Sequence, residues 1–92
     1  MIRVHILIEG RVQGVGFRSN TRRIAKQLGL KGWTRNLRDG KVEIIAEGEI
    51  ELVERLIQWC HSGPSSAYVS KVTSVKSSAT GEFERFTVKS TF

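Results

Sequence analysis

Residues 9–18 have the sequence Glu9-Gly10-Arg11-Val12-Gln13-Gly14-Val15-Gly16-Phe17-Arg18. An alternating apolar pattern over residues 2–8 precedes this stretch, and an amphipathic helical pattern follows it at once. A strand, a glycine-rich turn and a helix together form a concave array of backbone N–H groups that can bind an anion. Arg18, at the start of the helix, adds a planar set of donors suited to phosphate. Residues Gly10 to Gly16 are therefore a candidate phosphate-binding loop.

The spacing of these glycines fits neither of the two common nucleotide-binding motifs. It matches neither G-x-x-x-x-G-K-[ST] nor G-x-G-x-x-G. Spacing alone leaves two interpretations open, a phosphate-binding loop or an ordinary glycine-rich connection that carries a surface arginine.

Apolar periodicity predicts five strands and two helices along the chain. The strands cover residues 2–8, 33–38, 41–47, 68–76 and 83–89, and the two helices end at Gly29 and Gly63-Pro64. The first helix is capped by Ser19 or Asn20, or it begins two or three residues earlier. Asp39-Gly40 predicts a two-residue type I′ hairpin. The spacing of Val69 and Val72 predicts a bulge or a bend in the fourth strand.

The predicted order is β-α-β-β-α-β with a short extra C-terminal strand. Two helices on one face of an antiparallel-dominated sheet make a ferredoxin-like α/β sandwich, a fold of the α+β class. The first two strands then run parallel, so their C-terminal ends lie at the same edge of the sheet. Asn36, at the end of the second strand, is expected there beside the glycine loop and Arg18. Its amide suits a water or a phosphate oxygen, although spacing alone also fits a turn residue that caps local backbone.

Composition narrows the class of protein. The 92 residues are expected to form a single domain, residues 1–92. A single cysteine and the lack of a long apolar run predict a cytoplasmic protein without a membrane span. Residues 1–46 contain ten Lys/Arg against three Asp/Glu, whereas residues 47–92 contain five against six. The basic half holds the glycine loop and would attract phosphorylated or carboxylated small molecules, or nucleic acid, unless it serves only solubility.

Two blocks of the sequence together resemble the acylphosphatase family. The first is Gly10–Arg18, and the second comprises Gly32-Trp33-Thr34-Arg35-Asn36 and Asp39-Gly40. The resemblance covers essentially the whole chain and implies the same ferredoxin-like fold. It also implies hydrolysis of the carboxyl–phosphate bond of acyl phosphates to a carboxylate and inorganic phosphate, without a cofactor.

The resemblance implies a role for each part of the site. Arg18 would bind the phosphoryl group, and Asn36 would orient the attacking water. The loop amides that cradle the phosphate oxygens would come from Gly10, Arg11, Val12, Gln13, Gly14, Val15 and Gly16. The chain departs from the family where Ser19-Asn20 follow Arg18, since bulky residues are frequent there, and this change is expected to bear on substrate preference or affinity.

Other kinds of site have weaker support. His5 and His61 are too few and too scattered for a metal cluster, and Cys60 lies on an apolar helical stripe, as a core residue would. An RNA-recognition module needs aromatic residues on its central strands, whereas residues 41–47 have none and contain two acids. We expect a monomer that acts on a small molecule, not on nucleic acid. A non-enzymatic phosphate- or nucleic-acid-binding module is the alternative.

Overall fold

The computed structural model describes residues 1–91, and its elements alternate along the chain in the predicted order. They are β1 (Ile2–Arg11), α1 (Phe17–Gln27), β2 (Lys31–Asn36), β3 (Val42–Gly48), α2 (Ile50–Cys60), β4 (Tyr68–Ser78) and β5 (Phe86–Val88). The strands lie in the order β4-β1-β3-β2-β5, and within residues 1–91 only the β2–β5 pair is parallel. The ferredoxin-like βαββαβ sandwich with a short extra strand is confirmed.

The core lies between one face of the sheet and the two helices. Alternate residues of β1 and β3 face each other there in register, and all of them are fully buried: Val4 with Ala46, Ile6 with Ile44, and Ile8 with Val42. Phe17, Leu56 and Cys60 cover them from the helices. Burial of each large side chain stabilises the fold by about 1.5–3 kcal/mol. The prediction that Cys60 belongs to the core is confirmed.

The first helix begins at Phe17, so the earlier of its two possible starts is correct. Gly16 is its N-cap, and neither Ser19 nor Asn20 caps the helix. The hydroxyl of Ser19 and the amide of Asn20 instead donate to the Gly16 carbonyl, at 3.2 and 2.8 Å. Gly29 follows the C-terminal cap residue, as predicted.

The hairpin between β2 and β3 differs from the prediction. Leu37 N–H donates to the Lys41 carbonyl at 2.8 Å, so three residues, 38–40, form the loop. A type I′ turn needs positive φ at both central residues, whereas only glycines among residues 1–91 have positive φ. The predicted two-residue turn is therefore wrong. Asp39 stays at negative φ and accepts a bond from Lys41 N–H at 3.1 Å, and Gly40 alone takes the left-handed conformation.

A β-bulge interrupts the pairing of β1 with β4. Glu9 pairs with Lys71 and Gly10 with Val69, so Ser70 has no partner in β1. The predicted irregularity in the fourth strand is thus confirmed as a bulge, which sharpens the local twist where β1 enters the glycine-rich loop.

The far end of the sheet carries a buried acid. Glu47, near the end of β3, accepts hydrogen bonds from Thr80 N–H at 2.9 Å, from Gly81 N–H at 3.0 Å and from Arg3 at 2.8 Å. Burial raises the pKa of this carboxyl, but these hydrogen bonds outweigh burial and lower the pKa to about 2. Glu47 therefore fastens the loop before β5 to the body of the sheet.

The last strand is shorter than predicted. β5 covers only Phe86–Val88 and lies parallel to β2 at the edge of the sheet. Backbone bonds extend this pairing at both ends, from Gly32 N–H to the Arg85 carbonyl and from Lys89 N–H to the Thr34 carbonyl. Among residues 1–91, neither helix has the length and apolar character needed to cross a membrane.

Candidate active site

The C-terminal ends of β1 and β2 lie at one edge of the sheet, because β3 pairs antiparallel with both strands. A cavity of about 200 Å³ lies at this edge. Its lining combines the glycine loop, the start of α1, the end of β2 and one residue of β5: Val12, Gly14, Gly16, Phe17, Arg18, Ser19, Asn36 and Val88. The structure thus brings Arg18, Asn36 and part of the loop together.

The backbone of the loop is shaped by two glycines. Gly14 and Gly16 have φ of 74° and 78°, while Val15 between them has negative φ. Alternating backbone handedness of this kind turns successive N–H groups toward a common centre and creates an anion-binding concavity. Gly16 offers no side chain to cap α1, and no other side chain caps it. The first N–H groups of the helix therefore remain available at the cavity.

Not every residue of the predicted loop lines this cavity. Gly10 and Arg11 are the last residues of β1, where they pair with Val69 and Tyr68 of β4. Val12 is almost completely buried in the core and also borders the cavity. The part of the loop that surrounds the cavity thus begins at Val12, two residues later than the sequence pattern indicated.

Gln13 holds the loop in place. Its side-chain amide donates to the carbonyls of Leu37 and Lys41, at 2.7 and 3.0 Å. These two residues flank the hairpin loop that directly follows Asn36, so Gln13 connects the glycine loop to the end of β2. Sequence reasoning missed this role, because the partners lie 24 and 28 residues away and are backbone carbonyls with no pattern of their own.

Arg18 is the second residue of α1 and is half-buried at the cavity. Within residues 1–91 its guanidinium forms no ion pair. A cation at a helix N-terminus is disfavoured by the helix dipole, and α1 has no acid in its first turn to compensate. The helix start is nevertheless well anchored, since the ring of Phe17 lies 5.2 Å from that of Trp59. The position of Arg18 is therefore unfavourable for the helix itself but well suited to binding an anionic ligand.

Asn36 carries the most informative atom of the site. Its Oδ1 is buried and has no hydrogen-bond partner within the described residues. An unsatisfied buried acceptor costs about 1–3 kcal/mol, so native proteins seldom retain one without a use. Pairing of Asn36 with Val42 of β3 fixes the backbone that carries this amide. The amide is therefore held at the cavity with its acceptor unused by the chain.

The cavity contains no side chain suited to acid–base catalysis near neutral pH. None of the described residues that line it is Asp, Glu, His or Cys. His5 is engaged elsewhere, since its Nε2 lies 2.7 Å from the Glu43 carboxylate. Burial raises the pKa of the Cys60 thiol to about 12, which removes it as a nucleophile. The arrangement can bind an anion, stabilise negative charge and orient a water molecule.

Comparison with known proteins gives matches over nearly the whole chain. The family model described as Acylphosphatase matches residues 4–88. A curated acylphosphatase from Methylococcus capsulatus is 50% identical over 88 residues, which cover 96% of each chain. The crystal structure of acylphosphatase from Bacillus subtilis matches with a TM-score of 0.93 at 32% identity, covering 97% of this chain and 99% of that one. Full-length HypF in its phosphate- and nucleotide-bound form matches with a TM-score of 0.86 at 29% identity, over 99% of this chain but only 12% of that one.

Proposed function

The chain belongs to the acylphosphatase family and is an acylphosphatase, and we propose that its catalytic site is the cavity containing Arg18 and Asn36. A small-molecule acyl phosphate binds there with its phosphoryl group at the glycine loop. Water attacks phosphorus directly, the bond between phosphorus and the bridging oxygen breaks, and the acyl carboxylate leaves. The products are a carboxylate and inorganic phosphate.

Arg18 and the loop amides bind the phosphoryl oxygens in this proposal. The supporting observations are the unpaired guanidinium at the helix start and the N–H groups left free by the glycine N-cap. Phosphoryl transfer depends chiefly on positioning and charge stabilisation, which these groups supply. The carboxylate is a good leaving group, so the absence of a general acid from the cavity lining is no obstacle.

Asn36 orients the attacking water, and its buried, unpartnered Oδ1 is the observation that carries the proposal. This oxygen accepts a hydrogen bond from the water, which leaves a lone pair of the water directed at phosphorus. As the new bond forms, the second water proton passes to a phosphoryl oxygen. The substrate thereby serves as the base, consistent with a cavity that lacks His, Asp and Glu.

Hydrolysis of benzoyl phosphate tests these assignments. We expect Asn36→Ala to lower kcat by about 10²–10³ with little change in KM, the usual loss for one preorganised donor or acceptor. Arg18→Ala should lower kcat and also weaken competitive inhibition by inorganic phosphate. Arg55→Ala removes an exposed cation of α2 and is the matched control, expected to behave as the parent. An inactive parent, or full activity in both cavity variants, would show that the proposal is wrong.

We further propose that the chain acts as a single, monomeric domain in the cytoplasm and does not bind nucleic acid. The sheet face opposite the helices supports the last point, because its arginines Arg3 and Arg35 are already paired with Glu47 and Glu43 and are not free to bind phosphates. A salt-sensitive mobility shift with single-stranded RNA, in the absence of hydrolytic activity, would favour the alternative of a binding module.

A further inference from the structure

A second hollow adjoins the catalytic cavity, between α1 and β5. Its lining consists of Arg22, Arg85, Thr87 and Val88, and we refer to it as the basic groove. Val88 borders both hollows, so the groove begins where the catalytic cavity ends. The groove therefore lies on a route by which the acyl part of a substrate can extend when its phosphate is bound at Arg18.

The groove has positive charge that the chain does not neutralise. Within residues 1–91, neither Arg22 nor Arg85 uses its side chain in a hydrogen bond or an ion pair, and no carboxylate lines the groove. Arg3 and Lys76, by contrast, are paired with Glu47 and Glu54. The groove differs from other basic parts of the surface in that its two arginines adjoin the cavity that contains Arg18.

Helix geometry places Arg22 close to the phosphate site. Arg22 follows Arg18 by four residues, so the two side chains leave the same face of α1 with their Cβ atoms about 5–6 Å apart. Like charges at this spacing destabilise a helix, and α1 contains no Asp or Glu to offset the repulsion. An arrangement that is unfavourable for the helix becomes favourable when an anion lies between the cations.

We propose that Arg22 and Arg85 determine substrate specificity by binding a second negative charge on the acyl group. The preferred substrates are then acyl phosphates of dicarboxylic acids, whose far carboxylate reaches the groove while Val88 contacts the intervening methylene groups. This inference rests on the proposed function, since it places the reacting phosphate at Arg18. Each arginine matches a carboxylate with paired N–H donors.

The kinetic test compares two four-carbon substrates, succinyl phosphate and butanoyl phosphate, which differ in the far carboxylate. We expect the parent to favour succinyl phosphate by about five- to tenfold in kcat/KM at low ionic strength, the effect of two exposed ion pairs. The double variant Arg22→Gln/Arg85→Gln should lose this preference through a higher KM for succinyl phosphate, with butanoyl phosphate turned over as in the parent. Arg55→Gln removes a cation from α2 and should keep the preference.

A binding measurement separates this inference from the proposed function. The β-ketophosphonate analogues of both substrates, in which a methylene group replaces the bridging oxygen, resist hydrolysis and can be titrated by calorimetry. The parent should bind the carboxylated analogue more tightly by the same factor, and the double variant should bind both alike. Equal affinity of the parent for the two analogues, or a preference retained in the double variant, would overturn the assignment of the groove. Lack of hydrolysis with the binding preference intact would instead contradict the proposed function alone.

Discussion

Two residues at the candidate active-site cavity are held in positions that lower the stability of the folded chain. Among residues 1–91, Arg18 has no ion-pair partner at a helix N-terminus and the buried Oδ1 of Asn36 has no hydrogen-bond partner. A phosphoryl group and a water molecule would satisfy these two groups. The site thus resembles other functional sites in that local energetic cost marks where a ligand completes the structure.

Substitutions at Gly14 measure the effect of backbone conformation on stability separately from the effect of packing. A Cβ added there would have no atom within 4 Å, so only the positive φ of 74° opposes a side chain. We expect Gly14→Ala to lower the free energy of unfolding by about 1–2 kcal/mol, whereas Gly14→Asn should cost less because Asn tolerates this conformation. Urea denaturation of both variants measures the difference. Equal losses would show that the loop does not hold Gly14 in the left-handed region.

Sequence reasoning predicted the position of Asn36 but not that its side-chain oxygen is buried without a hydrogen-bond partner in the described residues. The topology of parallel strands was sufficient to place it beside Arg18, because strand direction follows from the order of elements. That its Oδ1 lacks a partner depends on the packing of side chains from distant segments. The role of Gln13 was not predicted for the same reason, since its partners are backbone carbonyls of another loop.

At the scale of elements, periodicity predicted the strands and helices because the buried residues recur at strand and helix spacing. The errors lie at the connections. The type of the hairpin turn depended on whether Asp39 adopts positive φ, and its bond from Lys41 N–H decided against this. The extent of β5 depended on pairing with β2, which no local pattern encodes.

The hydrogen bonds accepted by Glu47, near the end of β3, make the free energy of unfolding depend on pH. The folded pKa of Glu47 is about 2, below the ordinary value of 4.5, so its contribution is complete above the unfolded pKa and is lost as the pH falls toward 2. We expect Glu47→Gln to lower the free energy of unfolding by about 2 kcal/mol at pH 7, as hydrogen bonds to a charged group are lost. Between pH 5 and pH 2 the variant should lose less stability than the parent.

Urea titrations at several pH values test this contribution of Glu47 to stability. Glu54→Gln is the matched control, because Glu54 is exposed and pairs only with Lys76 at the surface, and it should stay within about 0.5 kcal/mol of the parent. If Glu47→Gln retains the full acid sensitivity of the parent, another carboxyl is responsible for it.

At the scale of the whole molecule, the uneven distribution of charge attracts anionic substrates before they reach the cavity. The basic first half includes Arg18, Arg22 and the glycine loop, and the full chain carries a net charge of +6. Such a field raises the local concentration of small anions and weakens as salt screens it.

The dependence of acetyl phosphate hydrolysis on salt tests this field. We expect kcat/KM to fall severalfold between about 0.02 and 0.5 M ionic strength, mainly through KM, because screening acts on encounter and binding. Arg23→Gln, in the basic half, should reduce the slope more than Arg55→Gln does. A value of kcat/KM that does not change with salt would show that only contacts within the cavity attract the substrate.

The interior position of β1, between β4 and β3, bears on when the site can form during folding. β1 pairs with β3 on one side and with β4 on the other, so Ile2 lies opposite Gly48 and Ser78. Pairings between such distant segments make folding slower than in proteins whose contacts are mainly local. Gly10 and Arg11, which lead into the glycine loop, pair only with β4, the last long strand of the chain. We therefore expect the glycine-rich loop to be among the last parts of the molecule to become ordered, and recovery of activity after refolding should follow the docking of β4.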